Sequence, residues 1–330
     1  MTVVGIDIAA RSFDLVSRRH GSSSRARRFA QTAQGHAQAI QHLHQLQPER
    51  IVLEATGVYY LDLAVALHEA GLPVCVINPK SFRRFAELTL TASKTDALDA
   101  ALLAEYAERL APRRWTPPPA EARQLQQIGR HLNRLVPTRT QAKNRLHALR
   151  AQAATPTLLI EDEQAGIAQL DQRIAHLEQA ALALIDAHAA LARPLAHLQA
   201  APGIGRTSAV ALLAELCALP AHLKAAQVSR HAGLDVRLSQ SGTSVHRPGR
   251  LSKAGNAYLR SALYMPAMAA VTHDPYARAF YQTLCRRGKK KIQALCAVMR
   301  KYLTGLWACL QTDTPFDPAR LFSQQHLDCA

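Results

Sequence analysis

The first part of the chain alternates between short apolar runs and longer amphipathic stretches. Five segments have the length and composition of strands, with the second predicted as the hairpin partner of the first: residues 2–8, 13–17, 25–30, 51–54 and 73–78. Three stretches repeat their apolar positions at helical spacing: roughly residues 33–47, 58–70 and 93–108. A hairpin meander followed by strand–helix–strand units predicts an α/β domain over residues 1–112, with helices packed on a mixed sheet.

A proline-rich stretch then ends this pattern, and residues 113–120 are predicted to be a linker. Residues 121–194 contain two long helical patterns, which predict a helical hairpin. In the second pattern, apolar residues at 3-4-3-4-3 spacing predict a coiled-coil seam: Ile167, Leu170, Ile174, Leu177, Ala181 and Leu184. In the first, Pro137 is expected to kink or interrupt the helix. Residues 195–330 predict a mainly α-helical domain, with no readable signal beyond about Pro315.

Charge adds the first functional indication. The 330 residues contain 40 Lys and Arg against 24 Asp and Glu, a net charge of +16 with a pI near 10.1. Such an excess favours a polyanionic partner, although a basic protein from an Arg-rich genome would have it too. The excess is one-sided over residues 121–150, which include Arg130 and Arg134 and a single acid, Glu121. That helix is therefore a candidate nucleic-acid contact or dimer arm, unless its charges only solvate an exposed face.

Cysteine usage and hydropathy indicate the compartment. The six cysteines are scattered without a CxxC pair, which is typical of reduced thiols. The N-terminal run contains a charged residue, unlike a signal peptide, and no stretch approaches the ~20 apolar residues of a membrane span. We expect a soluble cytoplasmic protein, associated with the bacterial nucleoid and with no membrane partner.

Four carboxylates have notable positions: two lie in or beside apolar strands, where burying a charge is unfavourable, and two lie on the same face of a predicted helix. Asp7 lies inside the first apolar strand, on the face opposite Ile6 and Ile8, and Glu54 ends the run 51–53. Asp96 and Asp99 occupy one helix face at i and i+3. Oxygen ligands able to converge suit Mg²⁺ or Mn²⁺, and two such ions ~4 Å apart stabilise both oxygens of a phosphoryl transfer. Individually, each acid also fits as a helix cap, a surface residue or a strand end.

A glycine-rich turn lies between two helical patterns near residue 200. Gly203 and Gly205, followed by Arg206, would let the backbone approach a phosphate at the start of the next helix. This pattern is similar to the hairpin of helix-hairpin-helix DNA-binding modules. The alternative is an ordinary helix–turn–helix corner.

A polar loop containing Ser241 is the candidate for nucleophilic chemistry. A hydroxyl exposed among cations can attack a phosphate while those cations offset the developing charge. Four basic residues follow it and are predicted nucleic-acid contacts: Arg247, Arg250, Lys253 and Arg260. Ser239, Ser244 and Ser252 compete with Ser241 for this role.

Taken together, the chain resembles the DEDD-type transposases of the insertion-sequence family one-ten, the bridge-RNA-guided serine recombinases. The resemblance spans nearly the whole chain. It is carried, in order, by Gly5-Ile6-Asp7, Glu54-Ala55-Thr56-Gly57, Lys94-Thr95-Asp96-Ala97-Leu98-Asp99, Pro202-Gly203-Ile204-Gly205, Gln240-Ser241-Gly242 and Gly255-Asn256-Ala257-Tyr258-Leu259-Arg260.

The resemblance implies specific roles for these residues. Residues 1 to about 110 would form an RNase H-like domain similar to Holliday-junction resolvases, with Asp7, Glu54, Asp96 and Asp99 as catalytic metal ligands. Ser241 would be the nucleophile that forms a phosphoserine link to DNA in the C-terminal transposase domain. The implied partners are donor and target DNA, a noncoding guide RNA that pairs with both, and further copies of the chain in a dimer or tetramer.

Two other functions remain compatible with the residues themselves. A metal-dependent nuclease for branched DNA would use activated water and leave Ser241 a structural role. An inactive basic protein would bind nucleic acid with strong salt dependence and cleave nothing.

Overall fold

The chain folds into two compact units, Met1–Pro117 and Pro118–Ala330. The boundary between them in the sequence falls within the predicted linker, residues 113–120. The computed structural model describes residues 1–89, 95–241 and 245–322, and it describes their side chains except for residues 239–248. No helix in these ranges is both long enough and apolar enough to cross a membrane.

The N-terminal unit is built on a six-stranded mixed sheet. Its strands are β1 (Thr2–Ile8), β2 (Ser12–Arg19), β3 (Ser22–Ser23), β4 (Arg27–Ala30), β5 (Arg50–Glu54) and β6 (Val74–Ile77). The order is β3-β2-β1-β5-β6, with β4 also paired to β2. Strands β1 to β4 pair antiparallel, whereas β5 and β6 join β1 in parallel. The sheet is therefore mixed, as predicted from the sequence.

Helices cover both faces of this sheet. They are α1 (Ala33–Leu46), α2 (Tyr60–Glu69), α3 (Pro79–Leu88) and α4 (Asp96–Leu110). Val4 and Ile6 pack in a core with α1 and α2, while Val3 packs with α3 and α4 on the other face. Alternation along β1 therefore confirms that Asp7 faces away from Ile6. The sequence analysis overlooked α3, which begins after the capping residue Asn78.

Gly5 determines how closely α4 approaches the sheet. A Cβ atom at Gly5 would lie 2.1 Å from the Ala100 carbonyl oxygen and 2.3 Å from the Ala104 nitrogen, both in α4. Since the backbone of the helix cannot move away from such a contact without leaving β1, only glycine permits this packing. The first turn of α4 is thereby held over the end of β1.

The C-terminal unit is mainly helical, as expected. Its elements are α5 (Ala120–Arg150), α6 (Thr157–Asp186), α7 (Ala189–Gln199), α8 (Arg206–Leu216), α9 (Ala225–His231), β7 (Val236–Ser241), β8 (Val245–Leu251), α10 (Ala257–His273), α11 (Pro275–Arg286), α12 (Lys291–Thr312) and α13 (Pro318–Phe322). One large core joins α5–α10 with α11–α13. No pattern beyond about Pro315 predicted an element, yet α13 forms there and its Phe322 is fully buried.

Helices α5 and α6 form a hairpin within one chain. Leu132 and Leu135 of α5 are buried against Ile174 of α6, with Leu170 and Leu177 of the predicted seam beside them. Ion pairs connect the basic helix to the acidic one: Arg139–Asp171 at 2.8 Å and Arg145–Glu163 at 2.7 Å.

Pro137 was expected to kink or interrupt the first helix, and it does not interrupt it. Helix α5 is continuous through that residue. Residues on both sides of it, Leu135 and Ala142 among them, are buried in the packed unit. Tertiary packing therefore offsets the hydrogen bond that proline cannot donate.

The polar loop predicted around Ser241 is a β-hairpin. Strands β7 and β8 pair antiparallel, with Val236 opposite Leu251 and Ser241 opposite Val245. The alternation of apolar and polar residues that predicts a strand is weak in the sequence of β7, and its apolar positions are exposed rather than buried. Val236 is 52% exposed and Leu238 is 71% exposed. Strand formation here depends on pairing between the two segments rather than on burial of one face.

Candidate active site

Two of the predicted carboxylates meet at the end of two parallel strands. Strand β1 pairs with β5 so that Ile6 lies opposite Leu53. The next residues are Asp7 and Glu54, and both are partly buried. Neighbouring parallel strands end at the same edge of a sheet, so the register alone makes these two acids neighbours.

The other two carboxylates stand on the first turn of α4. Thr95 caps this helix by accepting a hydrogen bond from the Leu98 N–H at 3.3 Å. Asp96 and Asp99 both fall in that turn. Negative side chains are favoured at a helix N-terminus, where the backbone N–H groups create partial positive charge. The cap at Thr95 sets where α4 begins and therefore where both acids stand.

All four acids line one cleft of about 640 Å³ in the N-terminal unit. Its wall also contains Thr56, which donates a hydrogen bond to Glu54. Burial raises the pKa of Asp7 to about 6, and the charges of Asp99, Asp96 and, least, Glu54 add to the effect. An Ile8 hydrogen bond to Asp7 opposes it. A pKa raised by burial and by neighbouring carboxylates shows that negative charge is unfavourable at this position. A bound cation would make it favourable.

The donor set fits a hard divalent cation in its chemistry, because all four side chains offer carboxylate oxygens. The side chains as placed do not form a closed cage. Among the described residues, no three His, Cys, Asp or Glu side chains are close enough together to hold an ion. Other partners engage two of the acids: Asp96 pairs with Arg28 at 3.2 Å, and Glu54 accepts from Thr56.

Asp14 and Arg28 adjoin this cleft, and the sequence analysis overlooked both. Asp7, Asp14 and Arg28 lie in register across β1, β2 and β4. Asp14 is only 4% exposed, and both of its oxygens accept hydrogen bonds from the Arg28 guanidinium, at 3.0 and 2.7 Å. Arg28 also reaches Asp96 on α4. The available signal was a charged residue inside the apolar run Phe13–Val16, opposite Asp7 in the predicted hairpin.

Ser241 lies at the end of β7 in the other unit. Its backbone pairs with Val245 across the hairpin, while its side chain and those of Ser239 and Arg247 are outside the described set. Ser244, Gly242 and, in the N-terminal motif, Lys94 also lie outside the described residues. The competing Ser252 hydroxyl donates a hydrogen bond to Asp235, which gives that serine a structural partner.

The predicted cations of the C-terminal unit fall into two groups. Arg250 and Lys253, at and just after the end of β8, are exposed. Arg130, Arg134 and Arg260 have internal partners instead: Glu215 at 2.7 Å, the Tyr258 hydroxyl at 3.2 Å and the Ala232 carbonyl at 2.8 Å, respectively.

Glu215 is the centre of a buried polar network that the sequence did not reveal. This carboxylate is 2% exposed and accepts two hydrogen bonds from Arg130, one from Gln126 and one from Asn256. Asn256 also caps α10 by accepting from the Leu259 N–H. The network therefore joins α5, α8 and the start of α10.

The predicted helix-hairpin-helix-like turn connects α7 and α8. Gly203 has φ of +83°, and a Cβ there would lie 2.8 Å from the Pro266 carbonyl oxygen of α10. Tyr302 fastens the turn by donating a hydrogen bond to the Pro202 carbonyl at 2.7 Å. Gly205 faces open space, and Arg206 at the start of α8 is exposed. The backbone at Gly205 is thus accessible from outside.

Comparison with known proteins shows similarity along most of the chain. Residues 4–153 match the family model DEDD_Tnp_IS110, described as a transposase. Residues 195–282 match a second model, described as transposase of the IS116/IS110/IS902 family. The first match contains all four cleft acids, and the second contains the glycine turn and Ser241.

Full-length relatives agree with these matches. The pilin gene-inverting protein of Moraxella bovis is 30% identical over 325 residues, covering 96% of this chain and 98% of the relative. A probable family 20 transposase of Pseudomonas aeruginosa is 28% identical, with the same coverage. Among solved structures, Thermus thermophilus RuvC in complex with a Holliday junction substrate matches with a TM-score of 0.28 and 20% identity, covering 35% of this chain and 100% of that chain.

Proposed function

Because the chain belongs to the IS110 family of transposases, we propose that it cleaves and rejoins DNA through a covalent bond to Ser241, assisted by divalent metal in the acid cleft. The observation that carries the proposal is the convergence of Asp7, Glu54, Asp96 and Asp99 on one cleft from positions up to 92 residues apart. Structural stability does not require four acids at one place, and their mutual repulsion opposes it.

The residues that would hold the metal are these four acids, and the ion would be Mg²⁺ or Mn²⁺. When bound, a divalent cation would stabilise negative charge on the phosphate oxygens. The chain's own contribution is to bring the four carboxyl groups together at one cleft. The cap at Thr95 and the glycine at position 5 both serve this end, because they set the position of α4 against β1.

Ser241 is proposed as the nucleophile. Its hydroxyl oxygen would attack the phosphorus of a DNA phosphodiester and lose its proton. A phosphoserine ester would form as the bond to one deoxyribose oxygen breaks, and that oxygen would leave as a hydroxyl after gaining a proton. The number of phosphodiester bonds is unchanged, so attack by a hydroxyl of another strand reverses the step and rejoins DNA. Arg250 and Lys253 are exposed near the base of this hairpin and would contact other phosphates of the DNA backbone.

The proposed partners are donor DNA, target DNA, a noncoding guide RNA and further copies of the chain. The net charge of +16 supports nucleic-acid partners in general. Gly203, Gly205 and Arg206 are proposed as a phosphate contact, since that turn is accessible and opens a helix of eleven residues. The M. bovis relative is named for inverting a gene, which supports exchange between DNA segments as the reaction.

The test is a denaturing gel of purified protein with Mg²⁺, labelled donor DNA, and RNA transcribed from the noncoding DNA that flanks the gene. We expect a protein–DNA adduct that survives denaturation in wild-type protein and in Ser252→Ala. The adduct should be absent from Ser241→Ala and from Asp7→Ala.

The outcomes separate the candidate mechanisms. Cleaved ends without an adduct would indicate a nuclease that uses water, and Ser241 would then have no covalent role. Full strand transfer by both Ser241→Ala and Asp7→Ala would refute the proposal. Binding without any product in Mg²⁺ or Mn²⁺, with the RNA supplied, would support an inactive binding protein.

A further inference from the structure

The positive charge of the C-terminal unit is concentrated in one continuous part of the chain. Residues 236–312 contain 13 Lys and Arg and a single acid, Asp274, which is 4% exposed and caps α11. The densest part is the run Arg286-Arg287-Gly288-Lys289-Lys290-Lys291, here called the basic turn. It has five cations among six residues and belongs to none of the motifs that carry the family resemblance.

The basic turn connects α11 to α12 and faces solvent. Residues 286–293 are all exposed. Gly288 has φ of +81°, and a Cβ there would meet nothing within 4 Å. The turn is closed locally, since the Lys290 N–H donates to the Gln293 side chain at 3.1 Å. This hydrogen bond caps the start of α12, and the lysine side chains of the turn are exposed to solvent.

The structure provides no carboxylate partner for most of these cations. In the part of the chain that is described, no Asp or Glu lies within ion-pair distance of Arg287, Lys289, Lys290 or Lys291. Elsewhere in this unit, the exposed Arg145 and the half-buried Arg139 do have such partners. A cluster of like charges raises the free energy of the folded state unless counterions gather around it. Binding a polyanion releases those counterions and gains affinity.

The basic turn and the base of the β7–β8 hairpin lie toward the same end of α12. Trp307 of α12 donates a hydrogen bond to the Leu223 carbonyl just before α9, and at the far end of α9 the Lys253 N–H donates to the Gly233 carbonyl. Lys253 thus lies toward the N-terminal half of α12, where its charge opposes the burial that raises the pKa of the Cys296 thiol. Cys296 is five residues along α12 from Lys291, which is about 7.5 Å of helix. Lys253 and the basic turn therefore border the same end of α12, whose N-terminal partial charge is also positive.

We propose that the basic turn binds the sugar–phosphate backbone of duplex DNA beside the hairpin that carries Ser241. Lysines bind phosphates as mobile point charges and read no sequence. Residues 286–293 contain no aromatic side chain on which the bases of a single strand would stack, so this surface fits a duplex. The proposal rests on the proposed function only in taking DNA as the substrate. It assigns the turn the task of holding the duplex, not the chemistry.

The test is fluorescence anisotropy with a labelled duplex of arbitrary sequence about 30 base pairs long, without divalent metal, over about 50 to 300 mM KCl. The variant is Lys289→Gln/Lys290→Gln/Lys291→Gln. Its matched control removes three exposed cations from the N-terminal unit: Lys80→Gln/Arg113→Gln/Arg114→Gln. Both variants lose the same net charge, so a difference between them reports location. Thermal unfolding of both confirms that they fold.

We expect the lysine variant to bind at least about tenfold more weakly at 100 mM KCl, with the slope of log K against log [KCl] reduced by about 2 to 3. The control should keep the wild-type slope. Equal loss in both variants, or no loss in the first, would overturn the proposal. Loss of binding to a matched RNA duplex with DNA binding retained would assign the turn to RNA instead. Because no metal or covalent step is involved, this result is independent of the adduct experiment.

Discussion

At the scale of single residues, the acid cleft holds carboxylates whose mutual repulsion reduces the stability of the folded protein. Asp7 has its pKa raised to about 6 by burial and by the negative charge of Asp99, Asp96 and Glu54. Asp14 is more deeply buried, yet its charge is balanced by Arg28. The two aspartates lie opposite each other on β1 and β2. One is therefore left for a bound cation, and the other is neutralised by the protein.

The raised pKa predicts how pH affects metal-free protein. Because the folded state holds the Asp7 proton more tightly than the unfolded state, stability falls as pH rises from about 4 to about 6 and then stays low. Asp7→Asn has no carboxyl group to ionise at this position, so it should not lose stability as pH rises through this range. We expect it to melt about 2–4 °C higher than wild type at pH 7, after allowance for solvent screening, and with little difference at pH 4.

The measurement is Tm in EDTA across this pH range, repeated with Mg²⁺. Mg²⁺ should raise Tm of the wild type and leave Asp7→Asn unaffected, since only a bound ion stabilises the folded state. A wild-type Tm that rises between pH 4 and 6 relative to Asp7→Asn would contradict the predicted direction.

Arg28 permits a second prediction. Arg28→Met strands the buried Asp14 carboxylate without its guanidinium partner, so Tm at pH 7 should fall by several degrees. Adding Asp14→Asn to that variant should recover part of the loss. Arg27→Met is the matched control, because Arg27 on the same strand contacts the Phe29 ring instead. A decrease of equal size in both single variants would show that Asp14 does not depend on Arg28.

At the scale of elements, close packing positions the chemistry. Helix α4 carries two of the four acids, and it can lie on β1 only because residue 5 has no side chain. In the C-terminal unit, the Glu215 network has a comparable role for α5, α8 and α10. These contacts connect segments that are distant in the chain, so one substitution at a contact displaces a whole element.

Gly5→Ala tests the first of these contacts. The new methyl group would overlap backbone atoms of α4, which must move away, at a cost of about 1–3 kcal/mol. Urea unfolding should show this loss, and Mn²⁺ binding followed by electron paramagnetic resonance should weaken because Asp96 and Asp99 move with the helix. Gly166→Ala is the control, since that position in α6 has nothing within 4 Å of a Cβ. It should gain about 0.5–1 kcal/mol. Unchanged Mn²⁺ affinity in a folded Gly5→Ala protein would contradict this account of the cleft.

At the scale of the whole molecule, the two units have different charge. The N-terminal unit has 14 Lys and Arg against 11 Asp and Glu, which leaves 26 against 13 for the rest of the chain. The acids proposed for metal belong to the nearly balanced unit. The surfaces proposed for DNA belong to the strongly basic one. Binding of DNA and cleavage of DNA should therefore respond to different changes in solution.

Removal of metal should separate DNA binding from DNA cleavage. With EDTA at constant ionic strength, duplex affinity should stay within about twofold of its value in Mg²⁺, because phosphate contacts depend on cationic side chains. The covalent adduct should disappear and return when Mg²⁺ or Mn²⁺ is added. Anisotropy and denaturing gels measure the two quantities on one sample. A parallel loss of binding would show that the cleft, not the basic surface, holds the duplex.

Most elements of the N-terminal unit and the acids of its cleft could be predicted from the sequence alone. Strand and helix periods are local properties, so the five predicted strands and the helices α1, α2 and α4 could be read from spacing. The acids were recognisable because a charge in or beside an apolar strand is costly.

The partners of those residues could not be predicted, because they come from the packing of distant segments. The Asp14–Arg28 pair, the Glu215 network and the contact of Gly5 with α4 join segments separated by 14 to about 100 residues, and no local period records such pairings. The β7–β8 hairpin was missed for the same reason, since its strands are stabilised by each other. Local patterns report which face of an element is apolar, whereas the opposing element is chosen by packing over the whole unit.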